Sequence, residues 1–317
     1  MEVLVTGGAG FIGSNLVRRL LSLGHNVRVL DNLSTGSLDN LDGLEGSVDV
    51  VRGDIRDGEV VRQVCRGVEV VYHLAALPSV SRSVRDPLAS HEVNATGTLT
   101  VLIAARDAEV RRFVYASSSS VYGDTPTLPK REDMPVSPRS PYAVSKLAGE
   151  CYCRAFAHSY GLETVALRFF NVFGPRQDPA SHYAAVIPLF ITRMLSGLPP
   201  IILGDGLQSR DFTYIANTVE ACIRAAEETG AIGEAVNVGY GERVALLALV
   251  DELNGLLETD LRPVHAAARE GDVRHSQAAV DKALELLGYV PSVSLQRGLT
   301  ETVSWYGRHR ASPAKVS

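Results

Sequence analysis

The chain has 317 residues, of which 45% are apolar and 21% are charged, a composition typical of globular proteins and not of disordered ones. Its net charge of −5 argues against a general nucleic-acid-binding protein, which carries a basic surface. No apolar run approaches the roughly 20 residues that span a bilayer, and residues 1–5 do not resemble a signal peptide. We therefore expect a cytoplasmic protein with no membrane or nucleic-acid partner.

Short apolar runs alternate with amphipathic stretches through the first half of the chain. The predicted strands are Val3–Val5, Asn26–Leu30, Val48–Val51, Val68–Leu74, Phe113–Ala116 and Val165–Phe170. The main predicted helices are Phe11–Leu23, Glu92–Asp107 and Tyr142–Tyr160. Because alternating strands and helices build βαβ units, we predict an α/β fold with a doubly wound parallel sheet.

The second half of the chain has a different composition, with more proline and glycine after Gly174-Pro175. A short helix is predicted at Val186–Leu195, and a strand at Ala235–Val238 is predicted to return to the main sheet. We expect residues 1–172 to form the sheet domain, with segments near 211–240 returning to it. Residues 173–317 are expected to form mainly a smaller, interleaved C-terminal α/β lobe.

A glycine-rich turn follows the first predicted strand. Glycines permit a tight turn, close approach of the backbone to a pyrophosphate and close packing of helix on strand. The N-terminus of the next helix offers free N–H groups to phosphates. Strand before and helix after predict a Rossmann-type dinucleotide site. The residues assigned to it are Gly7, Gly10, Phe11, Ile12 and Gly13.

Asp31 ends the second predicted strand, where dinucleotide-binding sheets place a ribose-binding acid. Its carboxylate would accept hydrogen bonds from both adenosine ribose hydroxyls and would repel a 2′-phosphate. This predicts NAD and not NADP as the cofactor, so residues 1–172 become the predicted NAD-binding domain. Asp54 and Ile55 follow the third strand and are predicted to reach the adenine.

Tyr142 and Lys146 lie four residues apart and therefore on one face of a predicted helix. A nearby ammonium favours the ionised phenol, which then acts as a general base near neutral pH. A run of serines, Ser117 to Ser120, follows the strand Phe113–Ala116 at the carboxyl edge of the sheet, where ligands bind in such folds. Four hydroxyls at that edge suit a sugar substrate.

Together these motifs resemble the extended short-chain dehydrogenase/reductase family, most closely its UDP-hexose 4-epimerases and the branch acting on N-acetylated sugars. Further matching motifs are His73-Leu74-Ala75-Ala76, Asn94-Ala95-Thr96-Gly97-Thr98, Arg168–Pro175, Arg210-Asp211-Phe212 and residues 271–276. The resemblance covers roughly residues 1–305. In such epimerases the sugar passes through a transient 4-keto form, with a tyrosine moving the proton and NAD the hydride.

The resemblance implies a role for each matching residue. Tyr142 would be the base, Lys146 its partner and nicotinamide-ribose ligand, and Ser118 the catalytic serine that holds the sugar 4-oxygen. Additional implied NAD ligands are Asn32, Leu74, Ala75, Ala76, Asn94 and Ser117. The implied UDP-sugar ligands are Ser79, Val80, Ser118, Ser119, Ser120, Asn171, Ala185, Val186, Arg210, Arg269, Asp272 and Ser276.

Ser276 bears on the choice of substrate. Epimerases confined to plain hexoses have a tyrosine at the matching position, which would clash with an N-acetyl group on C2. A serine leaves room, so we predict UDP-N-acetylglucosamine and UDP-N-acetylgalactosamine as substrates. UDP-glucose and UDP-galactose are not excluded by the removal of a clash.

The residues after Ser118 help to distinguish between the activities known for this fold. Dehydratases need an acidic pair there, and this chain has Ser119 and Ser120, which argues against dehydration. UDP-glucuronate 4-epimerisation is the alternative, ahead of UDP-glucuronate decarboxylation and a non-catalytic NAD sensor. The family's dimers pair helices that match Glu92–Asp107 and Tyr142–Tyr160, which implies a homodimer through a four-helix bundle. No metal site is expected, because the spacing of Cys151 and Cys153 is not that of a zinc or redox pair.

Overall fold

The computed structural model describes residues 1–179, 185–267 and 273–309. The strands are β1 (Glu2–Thr6), β2 (Asn26–Asp31), β3 (Val48–Arg52), β4 (Val70–His73), β5 (Arg112–Ser118), β6 (Glu163–Phe169), β7 (Val172–Phe173), β8 (Ile201–Leu203), β9 (Ser209–Arg210), β10 (Thr213–Tyr214), β11 (Ala235–Val238), β12 (Val244–Ala245) and β13 (Val264–Ala266). The α-helices are α1 (Phe11–Ser22), α2 (Gly58–Cys65), α3 (Val80–Arg85), α4 (Pro87–His91), α5 (Thr98–Asp107), α6 (Pro141–Tyr160), α7 (Val186–Leu195), α8 (Ile215–Glu227), α9 (Leu246–Leu257), α10 (Asp281–Leu287) and α11 (Leu295–His309).

Seven parallel strands form the central sheet in the order β3-β2-β1-β4-β5-β6-β11. Val5 of β1 lies opposite Val29 of β2 on one side and Tyr72 of β4 on the other. The strand order reverses between β1 and β4, and such a reversal leaves a crevice at the carboxyl ends of the strands. The predicted doubly wound, Rossmann-type sheet is therefore confirmed.

Alternate residues of each strand point to opposite faces of the sheet, which gives two apolar layers. On one face, Val3 and Val5 pack with Leu16 of α1, and α8 covers the same side. On the other face, Leu4 packs with Val61 of α2, and α5 and α6 lie alongside. The helices on both faces hold the strand ends, and hence the crevice, in fixed positions.

The C-terminal half of the chain interleaves with the sheet. β11 pairs with β6, so that Val236 lies opposite Leu167, and α8 packs against α1. The helices α7, α9 and α11 contact one another away from the sheet, next to the short pairs β8–β13 and β9–β12. This arrangement confirms the predicted interleaved smaller lobe.

The segment predicted as one helix from Glu92 to Asp107 has two parts. Glu92–Gly97 is π-helical, and α5 follows it. The Thr98 hydroxyl donates to the carbonyl of Asn94 at 2.7 Å, and a Cβ on Gly97 would lie 2.7 Å from Ile55 Cδ1. The predicted helix is confirmed, but apolar periodicity does not reveal this local change of helix type over Glu92–Gly97. Such π segments are frequent at functional sites.

Within the described ranges, no helix is long and apolar enough to cross a membrane. The four cysteines are free thiols, of which Cys151 alone is exposed.

Candidate active site

A cavity of about 720 Å³ lies at the carboxyl ends of the central strands, where the strand order reverses. Its nucleotide end is lined by the predicted residues Gly7, Gly10, Phe11, Ile12, Gly13, Asp31, Asn32 and Ile55. Its other end is lined by Leu74, Ala75, Ala76, Ser79, Ser117, Ser118, Tyr142, Lys146, Asn171 and Ala185. The fold thus brings these predicted cofactor, reaction and substrate residues together around one cavity.

The glycine turn has no room for side chains. Gly7 has a φ of 72°, and a Cβ there would lie 2.7 Å from the Ala75 nitrogen. A Cβ on Gly13 would lie 2.1 Å from the Gly7 carbonyl oxygen. Gly10 caps α1 without a side-chain hydrogen bond, so the first N–H groups of α1 have no side-chain partner at the cap. This open backbone cradle fits the pyrophosphate of a dinucleotide.

Asp31 holds the turn from the side of β2. Its carboxylate accepts hydrogen bonds from the backbone nitrogens of Ala9 at 3.0 Å and Leu33 at 2.8 Å. Both bonds fix a carboxylate that lines the cavity beside the glycine turn, where an adenosine ribose would lie. The residues at this end therefore fit the predicted NAD.

Asp54 lies outside the cavity lining and acts through its neighbour. It accepts a hydrogen bond at 2.9 Å from the side chain of Asn32, which does line the cavity. The Arg56 guanidinium beside it lowers the pKa of Asp54 to about 2. Direct contact of Asp54 with a cofactor stays a prediction.

The reacting end is built on the first turns of α6. Ser140 caps the helix by accepting a hydrogen bond from the Ala143 nitrogen at 3.1 Å, and Pro141 follows as the first helical residue. Lys146 Nζ donates to the Ala116 carbonyl at 2.8 Å and lies 6.0 Å from the centre of the Tyr142 ring. The Lys146 ammonium is thereby fixed to the end of β5, close to the Tyr142 ring.

Burial acts on both members of the pair. It raises the pKa of the Tyr142 phenol, and a hydrogen bond with Ser118 lowers that pKa in part. It lowers the pKa of the Lys146 ammonium to about 8, against the opposing effects of Cys153 and Glu150. Burial therefore disfavours the charged form of both side chains. The arrangement suits transfer of a proton between Tyr142 and a hydroxyl held beside Ser118.

Asn94 does not line the cavity, but its side chain connects the loop of residues 74–77 to α6 by hydrogen bonds. Its carboxamide accepts from the Leu77 nitrogen at 2.7 Å and donates to the Leu77 carbonyl and to Ser145 Oγ at 3.1 and 3.2 Å. The loop it holds, Leu74–Leu77, follows β4 along the cavity. Direct NAD contact by Asn94 stays a prediction.

His73 orders the same region through a chain of hydrogen bonds. Thr98 donates its hydroxyl proton to Asn94, so it accepts from His73 Nε2, at 2.9 Å. His73 Nδ1 then accepts from Thr6 at 2.7 Å. Burial lowers the pKa of His73 to about 3, so the ring is neutral. The sequence marked His73 only as part of a motif, because its partners lie far away along the chain.

On the substrate side, Asn171 joins two segments of the smaller lobe. It has a φ of 23°, and its amide donates to the Asp211 carbonyl at 3.2 Å and to Ser276 Oγ at 3.1 Å. Ser276 is buried behind Asn171 and does not line the cavity. Val80, Ser119, Ser120, Val186 and Arg210 also lie outside the lining, so their roles stay predictions. Arg269 and Asp272 lie outside the described residues.

Residues 3–239 match the NAD dependent epimerase/dehydratase family. The chain belongs to this family.

Relatives match over nearly the whole chain. The UDP-glucose 4-epimerase of Mycolicibacterium smegmatis is 41% identical over 96% of this chain and 98% of its own. The structure of a UDP-N-acetylglucosamine 4-epimerase from Methanobrevibacter ruminantium, in complex with UDP-N-acetylmuramic acid, is 38% identical with a TM-score of 0.93, over 97% of this chain and 98% of that one. A UDP-glucose 4-epimerase from Thermotoga maritima with UDP-glucose is 38% identical with a TM-score of 0.94, over 98% and 100%.

These matches confirm the predicted family and its cofactor, NAD. The sequence interpretation missed some lining residues, among them Gly36, Arg82 and Gln177. A Cβ on Gly36 would lie 2.8 Å from the Ala9 carbonyl carbon, so Gly36 packs directly on the glycine turn. Its position five residues after Asp31 was the available signal. Arg82 and Gln177 gave none, since a lone polar residue in a loop or short helix has no diagnostic spacing.

Proposed function

We propose that this enzyme interconverts the C4 epimers of a UDP-sugar, with UDP-N-acetylglucosamine and UDP-N-acetylgalactosamine as substrates and UDP-glucose and UDP-galactose accepted as well. One observation carries the proposal: Ser118, Tyr142 and Lys146 lie together at one end of the cavity, and the glycine turn and Asp31 lie at its other end. Relatives that carry a 4-epimerase name support it.

NAD, when bound, supplies the hydride acceptor and donor for the sugar C4. The protein's own residues handle the proton. Ser118 positions the 4-oxygen, and Tyr142 takes the hydroxyl proton as the 4-keto sugar forms and returns it when the hydroxyl is restored. Lys146 stabilises the phenolate form of Tyr142 that accepts the proton in the first step and is restored by the second. No net oxidation results, and the configuration at C4 is inverted when the 4-keto sugar turns over and presents its other face for the return of the hydride.

The absence of an acid after Ser118 separates epimerisation from dehydration. Ser119 and Ser120 occupy the positions of the dehydratase acids, and an alcohol is a much weaker acid than a carboxylic acid, so a serine is poorly suited to expelling the 6-hydroxyl. The 4-keto sugar therefore keeps its 6-hydroxyl.

The preference for N-acetylated sugars is supported by Ser276. Its small side chain packs on Asn171 through a hydrogen bond, so the wall behind the substrate is not filled by an aromatic ring. The related structure that contains UDP-N-acetylmuramic acid shows that a relative at 38% identity binds an N-acetylated UDP-sugar.

The test is a substrate panel of UDP-glucose, UDP-N-acetylglucosamine and UDP-glucuronate, each followed by NMR for inversion at C4. We expect inversion of the N-acetylated and plain hexoses. Elimination of water at C6, or no turnover of any of the three, would contradict the proposal.

A second candidate, UDP-glucuronate 4-epimerisation, is favoured by one observation. Arg82 lines the cavity, and a guanidinium there is suited to a sugar carboxylate at C5. Inversion of UDP-glucuronate alone in the same panel would select this reading. In that case Arg82→Met should abolish turnover of the glucuronate.

We also propose a homodimer through α5 and α6. These helices expose Ile103, Val144 and Tyr152 although they flank a well-packed core. Light scattering should give twice the monomer mass for the unaltered protein and the monomer mass for Val144→Glu. Leu284→Glu, at an exposed leucine of α10, is the matched control. A monomer mass for the unaltered protein at micromolar concentration would contradict this proposal.

The cytoplasmic location of the protein stays a prediction.

A further inference from the structure

A buried ion pair that the proposed chemistry does not use lies below the reacting residues. Glu150 on α6 and Arg168 on β6 have side chains only 7% and 5% exposed. Arg168 donates to the two carboxylate oxygens of Glu150 at 3.0 and 2.8 Å. Because the desolvation of such a pair offsets most of its attraction, its net contribution to stability is small. Its contacts therefore point to a role beyond stability.

The ion pair is hydrogen-bonded to both ends of the segment from Ser117 to Tyr122. The Ser117 hydroxyl donates to Glu150 Oε1. Arg168 Nη1 donates to the Tyr122 hydroxyl at 2.8 Å, and that hydroxyl donates to Asn237 Oδ1 at 2.7 Å. Ser118 lies between these two anchors, so the position of its hydroxyl depends on the pair.

Glu150 also supplies negative charge to Lys146. The ionisable groups that face Lys146 are Tyr142, Glu150 and Cys153 from α6, Tyr115 from β5, whose ring centre lies 5.2 Å from Nζ, and His73 from β4. Burial raises the pKa of the Tyr115 phenol and the Cys153 thiol and keeps His73 neutral. Glu150 is therefore the carboxylate that favours the charged lysine among these groups. The groups that face Glu150 are Arg168, Ser117, Tyr115, Cys153 and Lys146.

We propose that Glu150, held by Arg168, is a positioning residue that keeps the Lys146 ammonium charged and fixes the Ser118 segment through Ser117. Glu150 lies one helical turn from Lys146 and two turns from Tyr142. Its charge therefore stabilises the ammonium more than it opposes the phenolate, which favours the charged pair over the neutral one. The effect on turnover rests on the proposed function, whereas the effect on Lys146 does not.

The test measures the ionisation of Lys146 directly. The chain has four lysines, Lys130, Lys146, Lys282 and Lys315, so NMR of the NAD-bound protein with ¹³C-labelled lysine can follow each one, and Lys146→Arg assigns the signal. Glu150→Gln should lower the pKa of Lys146 by about one pH unit or more, from Coulomb's law at about 6 Å and an effective dielectric constant of about 20. Because the pKa of Lys146 starts at about 8, kcat should fall about twofold at pH 7 and approach a tenfold loss well above pH 8, with KM nearly unchanged.

Glu132→Gln is the matched control. Glu132 accepts a hydrogen bond from the Asn237 nitrogen at 2.7 Å, so it belongs to the same network, but it is not among the charged groups that act on Lys146. This substitution should leave the titration of Lys146 unchanged. It separates loss of a nearby carboxylate from general loosening of the network.

Two further variants keep the proposal testable if Glu150→Gln alone does not fold. Arg168→Met should lower stability without lowering the pKa of Lys146, and the double variant with Glu150→Gln should recover stability but still lower that pKa. An unchanged Lys146 titration in the Glu150 variants would overturn the proposal. If the unaltered protein turns over no UDP-sugar while the lysine shift is present, the proposed function fails and the positioning role stands.

Discussion

The two ends of the cavity are built in different ways. At the nucleotide end, backbone atoms of one turn pack on each other, so that Gly13 leaves no space beside the Gly7 carbonyl. At the reacting end, side chains from distant parts of the chain meet, as Tyr122 does with Asn237, 115 residues away. The glycine turn of the nucleotide end therefore depends on the absence of side chains, and the reacting end depends on particular polar ones.

The largest expected effect is at the reacting end. Tyr142→Phe removes the hydroxyl that moves the proton, and we expect turnover to fall by about 10³-fold or more. NAD binding should be nearly unchanged, because the glycine turn is untouched. Steady-state kinetics and NAD titration of the same preparation measure both, and near-normal turnover would show that Tyr142 is not the base.

Gly13→Ala should act on the other end alone. The new Cβ would lie 2.1 Å from a backbone oxygen that has no freedom to move aside, and such overpacking costs about 2 kcal/mol or more. We expect NAD affinity to fall at least tenfold. Gly255→Ala is the control, because no atom lies within 4 Å of its Cβ position and alanine favours a helix interior. Equal effects of the two substitutions would refute the distinction between the two ends.

Ser276→Tyr tests the substrate side of the reacting end. A phenol ring beside Asn171 should obstruct an N-acetyl group on C2 while leaving a hydroxyl tolerated. We expect kcat/KM for UDP-N-acetylglucosamine to fall at least about tenfold relative to UDP-glucose. Unchanged ratios of kcat/KM would mean that Ser276 does not select the substrate.

The smallest effect is expected at Asp54. Its folded-state pKa is lowered from 3.8 to about 2 by Arg56, so its stabilising contribution is present above pH 4 and is lost as the pH falls towards 2. Because both side chains are partly exposed, the contribution is less than about 1 kcal/mol. Urea unfolding between pH 2 and 5 should show a slightly shallower loss of stability in Asp54→Asn. A larger change would mean that Asp54 supports the nucleotide end more strongly than its exposure indicates.

Local patterns in the sequence determined the nucleotide end and the framework. The glycine turn is recognisable because strand, turn and helix are contiguous, and Tyr142 and Lys146 are recognisable because one helical turn separates them. The helix Val186–Leu195 and the strand Ala235–Val238 were predicted with the bounds that the structure has. These features depend on residues close together in the chain.

Only the tertiary structure decided how the reacting end is held. It placed Asn94 as a clamp and made Glu92–Gly97 π-helical. It also buried Glu150 against Arg168. The spacing of apolar residues in the sequence does not reveal such contacts, because each contact depends on strands and helices that pack side by side although they are far apart in the chain. The physical reason is that a backbone turn is specified by its own residues, whereas a buried polar network is specified by the packing around it.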